Sequence, residues 1–193
     1  MRREHSDKIL KKVYDLEAYK NADVILSYVD YQSEVITSPL IEKAIIDGKK
    51  VFCPKVSGND MDFYRIKGLE ELKEGYKGIR EPVSREKFPI ELKSLDTMNN
   101  PRSQYSLSTN LLNDVIRPLV IMPGVVFDRN GQRIGYGKGF YDRFLTQMSE
   151  NKLGLYTIGL CYECQLVDEV PYEMHDISLD MIVTENDIYG RDI

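Results

Sequence analysis

Between Met122 and Leu145 the chain reads MPGVVFDRNGQRIGYGKGFYDRFL. Gly131, Gly135, Gly137 and Gly139 stand at alternating or near-alternating positions, with Arg129, Arg133 and Lys138 threaded among them. Glycine lets the backbone approach a ligand closely and take positive φ. Successive N–H groups in such a turn make a concavity that binds anions. A helix beginning near Phe140 would aim its free amides and positive dipole end at the same place. The chemistry suggested is therefore the holding of phosphate. The run is neither a Walker A loop nor a dinucleotide fingerprint, because its spacing is G-x-G-x-G. Read from the residues alone, a glycine-rich hairpin with no ligand remains the alternative.

Asp142 falls in the first turn of the expected helix, where a carboxylate complements the dipole. Beside phosphates it would repel them unless a cation lay between, and Mg²⁺ commonly binds one or two carboxylates together with phosphate oxygens. Asp180, at the start of the last apolar strand, is the candidate second carboxylate; an ordinary strand-end acid is the other reading. Cys161 and Cys164 have zinc-ligand spacing but no matching second pair, so they read as plain thiols. His175 reads as a hydrogen-bonded structural residue.

The elements that must position these groups follow from periodicity. His5 to Tyr19 carries Ile9, Leu10, Val13, Leu16 and Tyr19 at helical spacing, with Ser6 as a cap candidate. Asp23 to Val29 reads as a buried strand. Ser38-Pro39 opens a helix that stops at Gly48. Short strands are expected at Val51–Pro54, Met61–Ile66, Leu119–Met122, Tyr156–Cys161 and Asp180–Val183, and a helix from Phe140 to about Met148. Near-continuous apolar strands alternating with helices predict an α/β fold with a mostly parallel sheet covered on both faces. Ligands in such sheets sit beyond the carboxyl ends of the strands, where the loop after Met122 begins. Ser84 to Asn113 has no clear period and reads as one long loop, either functional or an insertion.

The 193 residues predict a single domain. A net charge of −5 argues against a general nucleic-acid binder. No run reaches the ~18 apolar residues of a membrane span, the start lacks a signal peptide, and three cysteines suit a reducing compartment. The expectation is a cytoplasmic monomer acting on small molecules.

The long run from Pro123-Gly124-Val125-Val126-Phe127-Asp128 through Gly135-Tyr136-Gly137-Lys138-Gly139-Phe140-Tyr141-Asp142-Arg143-Phe144-Leu145 resembles the 5-formyltetrahydrofolate cyclo-ligase family, also called methenyltetrahydrofolate synthetases. Further pieces fall in that family's order: Ser27-Tyr28 through Glu34-Val35-Ile36-Thr37, Gly48 to Val51, Pro54-Lys55, Met61 with Phe63, Gly78 to Pro82, His175-Asp176 and Asp180. The resemblance runs from about Ser6 to the end. It implies a three-layer α/β/α fold like that of ribose-phosphate isomerases and CoA transferases. It also implies conversion of 5-formyltetrahydrofolate to 5,10-methenyltetrahydrofolate with ATP and Mg²⁺. Carried onto this chain, Arg133, Ile134, Gly135, Tyr136, Gly137, Lys138, Gly139, Phe140 and Tyr141 would bind ATP, with Arg133 and Lys138 neutralising charge during the reaction. Asp142 and Asp180 would hold Mg²⁺. Glu34 would bind the folate, with Val29 on the pocket wall. Family members carry a basic segment before the matched helix; here only Met1 to Arg3 precede it, and Arg2 or Arg3 is the candidate substitute. A binding protein that holds folate or nucleotide without turnover is the alternative function.

Overall fold

The computed structural model describes residues 1–89, 118–150, 154–172 and 177–190. The chain opens with helices α1 (Arg2–Asp15) and α2 (Glu17–Asn21), strand β1 (Val24–Ser27) and helix α3 (Ser38–Ile46). The hairpin β2 (Lys50–Ser57) and β3 (Asp60–Ile66) follows, then a small hairpin of β4 (Leu72–Glu74) and β5 (Arg80–Pro82). After the undescribed stretch come β6 (Leu119–Met122), β7 (Val126–Asp128), β8 (Arg133–Ile134) and helix α4 (Phe140–Glu150). The chain ends through β9 (Tyr156–Leu160), β10 (Leu166–Val167), β11 (Met181–Val183) and β12 (Ile188–Gly190).

Seven strands form the central sheet in the order β12-β11-β9-β6-β1-β2-β3. The five inner strands are mutually parallel. β3 and β12 close the two edges antiparallel. Successive residues send their side chains to opposite faces, and both faces are covered. Ile25, Leu119, Ile121, Ile158 and Val183 join one core with Ile9, Leu10 and Val13 of α1 and Leu40, Ile41 and Ala44 of α3. Val24, Leu26, Val120, Met122 and Ile182 join the other with Phe144, Leu145 and Met148 of α4. Each fully buried aliphatic side chain here contributes roughly 1.5–3 kcal/mol.

This arrangement creates a switch point. From β1 the chain crosses through α3, on one face, to β2; from the neighbouring β6 it crosses through α4, on the other face, to β9. The connections leave in opposite directions, so a crevice opens between the carboxyl ends of β1 and β6. The segments that follow those two strands carry Glu34 and the glycine run.

Several boundaries differ from the periodic reading. The expected helix His5–Tyr19 begins at Arg2 and breaks at Leu16, which is extended at φ −68°, ψ 140°. The break has a packing cause: Ala18 and Tyr19 are buried as well as Leu16, and no single straight stripe contains all three. Ser6 is not a cap but a buried residue inside α1. Thr37 takes the N-cap position of α3. Gly48 does end that helix, at φ 82°. Of the expected long loop, residues 84–89 run beside β3: the Arg65 amide donates to the Glu86 carbonyl and the Phe88 amide to the Phe63 carbonyl. Phe88 is buried edge-on to Phe52. The rest of that loop, and His175-Asp176, lie outside the described residues.

Candidate active site

The glycine-rich stretch has two halves. In the first, β7 and β8 pair as an antiparallel hairpin. Asp128 organises its turn: Oδ1 accepts from the amides of Asn130 and Gln132, at 2.9 and 3.0 Å. Its Oδ2 accepts from the Val170 amide at 3.0 Å. Gly131, at φ 87°, lies against Leu179, whose amide donates to the Gly131 carbonyl at 2.8 Å. This half is therefore a hairpin, as the ligand-free reading anticipated.

The second half is open. Among the described residues, the amides of Tyr136, Gly137, Lys138 and Gly139 donate to no backbone carbonyl. Gly137 and Gly139 take positive φ, 76° and 62°, turning the chain into α4. Ile134, Tyr136 and Lys138 are exposed, and Lys138 pairs with no carboxylate among the described residues. The loop is tied at its far side by Arg143. Its Nη1 donates to the Lys138 carbonyl at 2.8 Å and its Nη2 to the Asn59 carbonyl, in the β2–β3 turn, at 2.7 Å. Phe140 stands edge-on to Tyr76, and Tyr141 edge-on to the buried Phe63.

Arg133 and Asp142 meet directly. Arg133 Nη2 donates to Asp142 Oδ1 at 2.6 Å. The arginine side chain is only 5% exposed, whereas the aspartate is 42% exposed. Arg133 Nε is buried with no hydrogen-bond partner among the described residues, although buried polar groups are nearly always bonded. The guanidinium also lies 5.9 Å from the centre of the Tyr141 ring. Arg133 is thus one cation already beside Asp142.

Asp180 sits elsewhere. It precedes β11, level with Thr157 near the start of β9. Its Oδ2 accepts from the Thr157 amide and hydroxyl, both at 2.8 Å. Asp142, in the first turn of α4, is at the opposite, carboxyl-terminal side of the sheet. Among the described residues, no group of three or more His, Cys, Asp or Glu side chains is placed to hold a metal ion. The site's chemistry still fits Mg²⁺ as a phosphate-borne ion, since Asp142 offers a half-exposed carboxylate beside the open loop.

Glu34 lies on the β1 side of the crevice, in an irregular segment held by side chains rather than by ladder bonds. Its Oε2 accepts from the Tyr31 amide at 2.8 Å. The Tyr136 hydroxyl, from the glycine run, donates to the same carboxylate. Burial, only partly offset by these two bonds, pushes the Glu34 carboxyl up to about 7. Tyr28 and Tyr141 lie close enough to feel the Glu34 charge, and burial holds both phenols well above their ordinary range, hence neutral. Val29 is buried and belongs to the core under α1 and α3. The fold thus brings Glu34, Tyr136, Tyr141, Arg133 and Asp142 to one crevice from positions up to 108 residues apart.

Tyr162, unmarked in the sequence, supports Glu34 from behind together with Arg2 and Ser6, which were expected in other roles. The Glu34 carbonyl accepts from Arg2 Nε at 3.0 Å, Arg2 Nη2 at 2.7 Å and the Tyr162 hydroxyl at 3.3 Å. Ser6 Oγ contacts the Tyr162 hydroxyl at 2.8 Å and accepts from the Ile36 amide. Nothing in local spacing marks these partners, because they come from two distant segments, α1 and the stretch after β9.

A mostly parallel α/β sheet with an open, cationic loop and a buried carboxylate beside its switch point defines an α/β protein with a candidate small-molecule crevice. Residues 1–185 match the model of the 5-formyltetrahydrofolate cyclo-ligase family, and the chain belongs to that family. It is 29% identical to the probable 5-formyltetrahydrofolate cyclo-ligase of Schizosaccharomyces pombe, over 91% of this chain and 81% of that protein. It is also 29% identical to the 5-formyltetrahydrofolate cyclo-ligase of Escherichia coli K12, over 87% and 81%. The fold matches the NMR structure of the Aquifex aeolicus 5,10-methenyltetrahydrofolate synthetase with a TM-score of 0.72, at 28% identity, over 100% of this chain and 86% of that one. These relatives favour a ligase over the alternative of a non-catalytic binding protein.

Proposed function

We propose that this protein converts 5-formyltetrahydrofolate to 5,10-methenyltetrahydrofolate at the expense of ATP. The observation that supports it most is the meeting, at the switch point, of an open amide loop with a buried carboxylate that the same loop touches through Tyr136. One group suits phosphates and the other suits the amino and N–H donors of a pterin.

The formyl oxygen is a poor leaving group until it is phosphorylated. In the proposed route that oxygen attacks the γ-phosphorus of ATP; the bond to the bridging oxygen breaks and ADP leaves. The neighbouring nitrogen then attacks the formyl carbon and loses its proton. The carbon–oxygen bond breaks and inorganic phosphate departs with both bonding electrons. Phosphoryl transfer asks a protein chiefly for positioning and charge neutralisation. The amides of residues 136–139, which donate to no backbone carbonyl among the described residues, and the Lys138 ammonium serve the phosphates. Arg133 offers its partnerless Nε to an anionic oxygen. Glu34 orients the pterin, and Val29 backs the pocket. Asp142 would hold Mg²⁺, which would supply further charge neutralisation; Asp180 is the weaker candidate ligand, since Thr157 already bonds one of its oxygens. The working form proposed is a cytoplasmic monomer.

The test is direct. Purified protein mixed with 5-formyltetrahydrofolate, ATP and Mg²⁺ should develop methenyl absorbance, and Lys138→Ala should remove most of that rate. Binding of both ligands with no product would reject the catalytic reading.

A further inference from the structure

The segment between β1 and α3 that carries Glu34 has no helix or strand of its own, and Gln32 within it adopts a left-handed φ of 48°. A carboxylate on such a segment binds ligand well only if something else immobilises it. Part of that work is internal. The Asp30 amide donates to Thr37 Oγ1, and the Thr37 amide donates back to Asp30 Oδ1. The Tyr28 hydroxyl donates to the Val35 carbonyl. These bonds close the two ends of the segment, and the Glu34 amide donates to the Tyr31 carbonyl at 3.1 Å, which leaves the peptide that carries the Glu34 carbonyl still to be anchored.

That peptide is held from outside. Arg2 lays two guanidinium N–H groups on the Glu34 carbonyl, with Nη2 also 3.5 Å from Asp30 Oδ2. Tyr162 adds a third donor to the same oxygen, and its own hydroxyl is fixed by Ser6 of α1. Three donors on one carbonyl restrict rotation of the peptide plane, and with it the direction of the side chain that follows from the same Cα. The guanidinium's second contact, on Asp30, keeps it from swinging toward solvent.

We propose that Arg2 and Tyr162 are positioning residues that clamp the Glu34 peptide and so set affinity for the folate, not for the nucleotide. This rests on the assignment of Glu34 to the folate. It makes the first turn of α1 part of the folate site, whereas the sequence offered Arg2 or Arg3 as a candidate substitute for a cation on ATP. The positive charge so close to the carboxylate also favours its ionised form, which gives the clamp a second, titratable signature.

Calorimetry on the full chain, with 5-formyltetrahydrofolate and a non-hydrolysable ATP analogue titrated separately, distinguishes the roles. Arg2→Ala should weaken folate binding about tenfold, the size of one charge-assisted hydrogen bond. It should leave nucleotide affinity unchanged and move the pH midpoint of folate binding upward. Arg2→Lys should restore part of the affinity, and Tyr162→Phe should lose less than Arg2→Ala. Circular dichroism identifies any variant that fails to fold, and Tyr162→Phe, the gentler change, then carries the test. Unchanged folate affinity and pH midpoint in Arg2→Ala, or a loss confined to the nucleotide, would overturn the proposal. Glu34→Gln is the control: if it too leaves folate binding untouched, the folate assignment fails, whereas a loss in Glu34→Gln alone sinks only the clamp.

Discussion

Glu34 shows most clearly what a single residue costs and supplies. The residue is only 8% exposed, and its carboxyl is pushed from 4.5 up to about 7, mainly by burial. The native state therefore keeps a proton up to about pH 7 that the unfolded chain loses near 4.5. Its stabilising contribution is full below about pH 4.5 and is lost as the pH rises to 7, an interval on the order of 3 kcal/mol. Glu34→Gln keeps an oxygen for the Tyr31 amide and removes the buried charge. We expect urea titrations to show the variant more stable than wild type at pH 8, with no gain at pH 5, and calorimetry to show it weaker in folate binding. Equal stability at both pH values would contradict this account. Wild-type folate affinity should in turn fall as the pH drops below 7, because a protonated Glu34 no longer accepts freely. Asp142 makes a second case. Asp142→Asn should raise the Mg²⁺ concentration needed for half-maximal turnover and release the buried Arg133 partner; Asp180→Asn, whose carboxylate already serves Thr157, should shift it less.

At the scale of elements, the β7–β8 hairpin decides where the open loop begins. Gly131 has φ 87°, and a Cβ there would lie 2.3 Å from the Leu179 carbonyl oxygen. Gly131→Ala thus meets both strain and backbone that cannot yield cheaply, and a loss of about 2–4 kcal/mol follows. Gly137, at φ 76°, has open space around it, so Gly137→Ala adds left-handed strain without collision, about 1 kcal/mol. Chemical denaturation of the two variants should separate them in that order. Gly137→Ala should also raise KM for ATP, since the strain is relieved by moving amides 136–139. Similar stabilities would mean that contact with Leu179 does not matter. The same element explains why the glycine run read ambiguously. A hairpin and an open loop follow one another within it. Arg133 pairs with Asp142 across nine residues, a distance that neither strand nor helix periodicity reports.

For the whole molecule, two cores share one sheet, so neither face can open without exposing the other. Unfolding should be a single transition, with tyrosine absorbance and far-ultraviolet circular dichroism coinciding. ATP with Mg²⁺ at about 100 times Kd should add about 2.7 kcal/mol, moving both probes together. Separate midpoints would show that the layers unfold independently.

Strand and helix identity came through in the sequence because it rests on local spacing: the apolar runs at Leu119–Met122 and Tyr156–Leu160, the Ser38-Pro39 start and the Gly48 stop act within a few residues. The glycine run itself was equally visible, since its glycines, Lys138 and Asp142 lie close together along the chain. The break at Leu16, the burial of Ser6 and the grip of Arg2 and Tyr162 on Glu34 were decided only by the tertiary structure. Hydrogen bonds between residues 32 to 156 apart carry no periodic signal. Only the opposite crossings out of β1 and β6 bring Glu34 and the glycine run to one crevice, because each of those connections must cover a different face of the sheet.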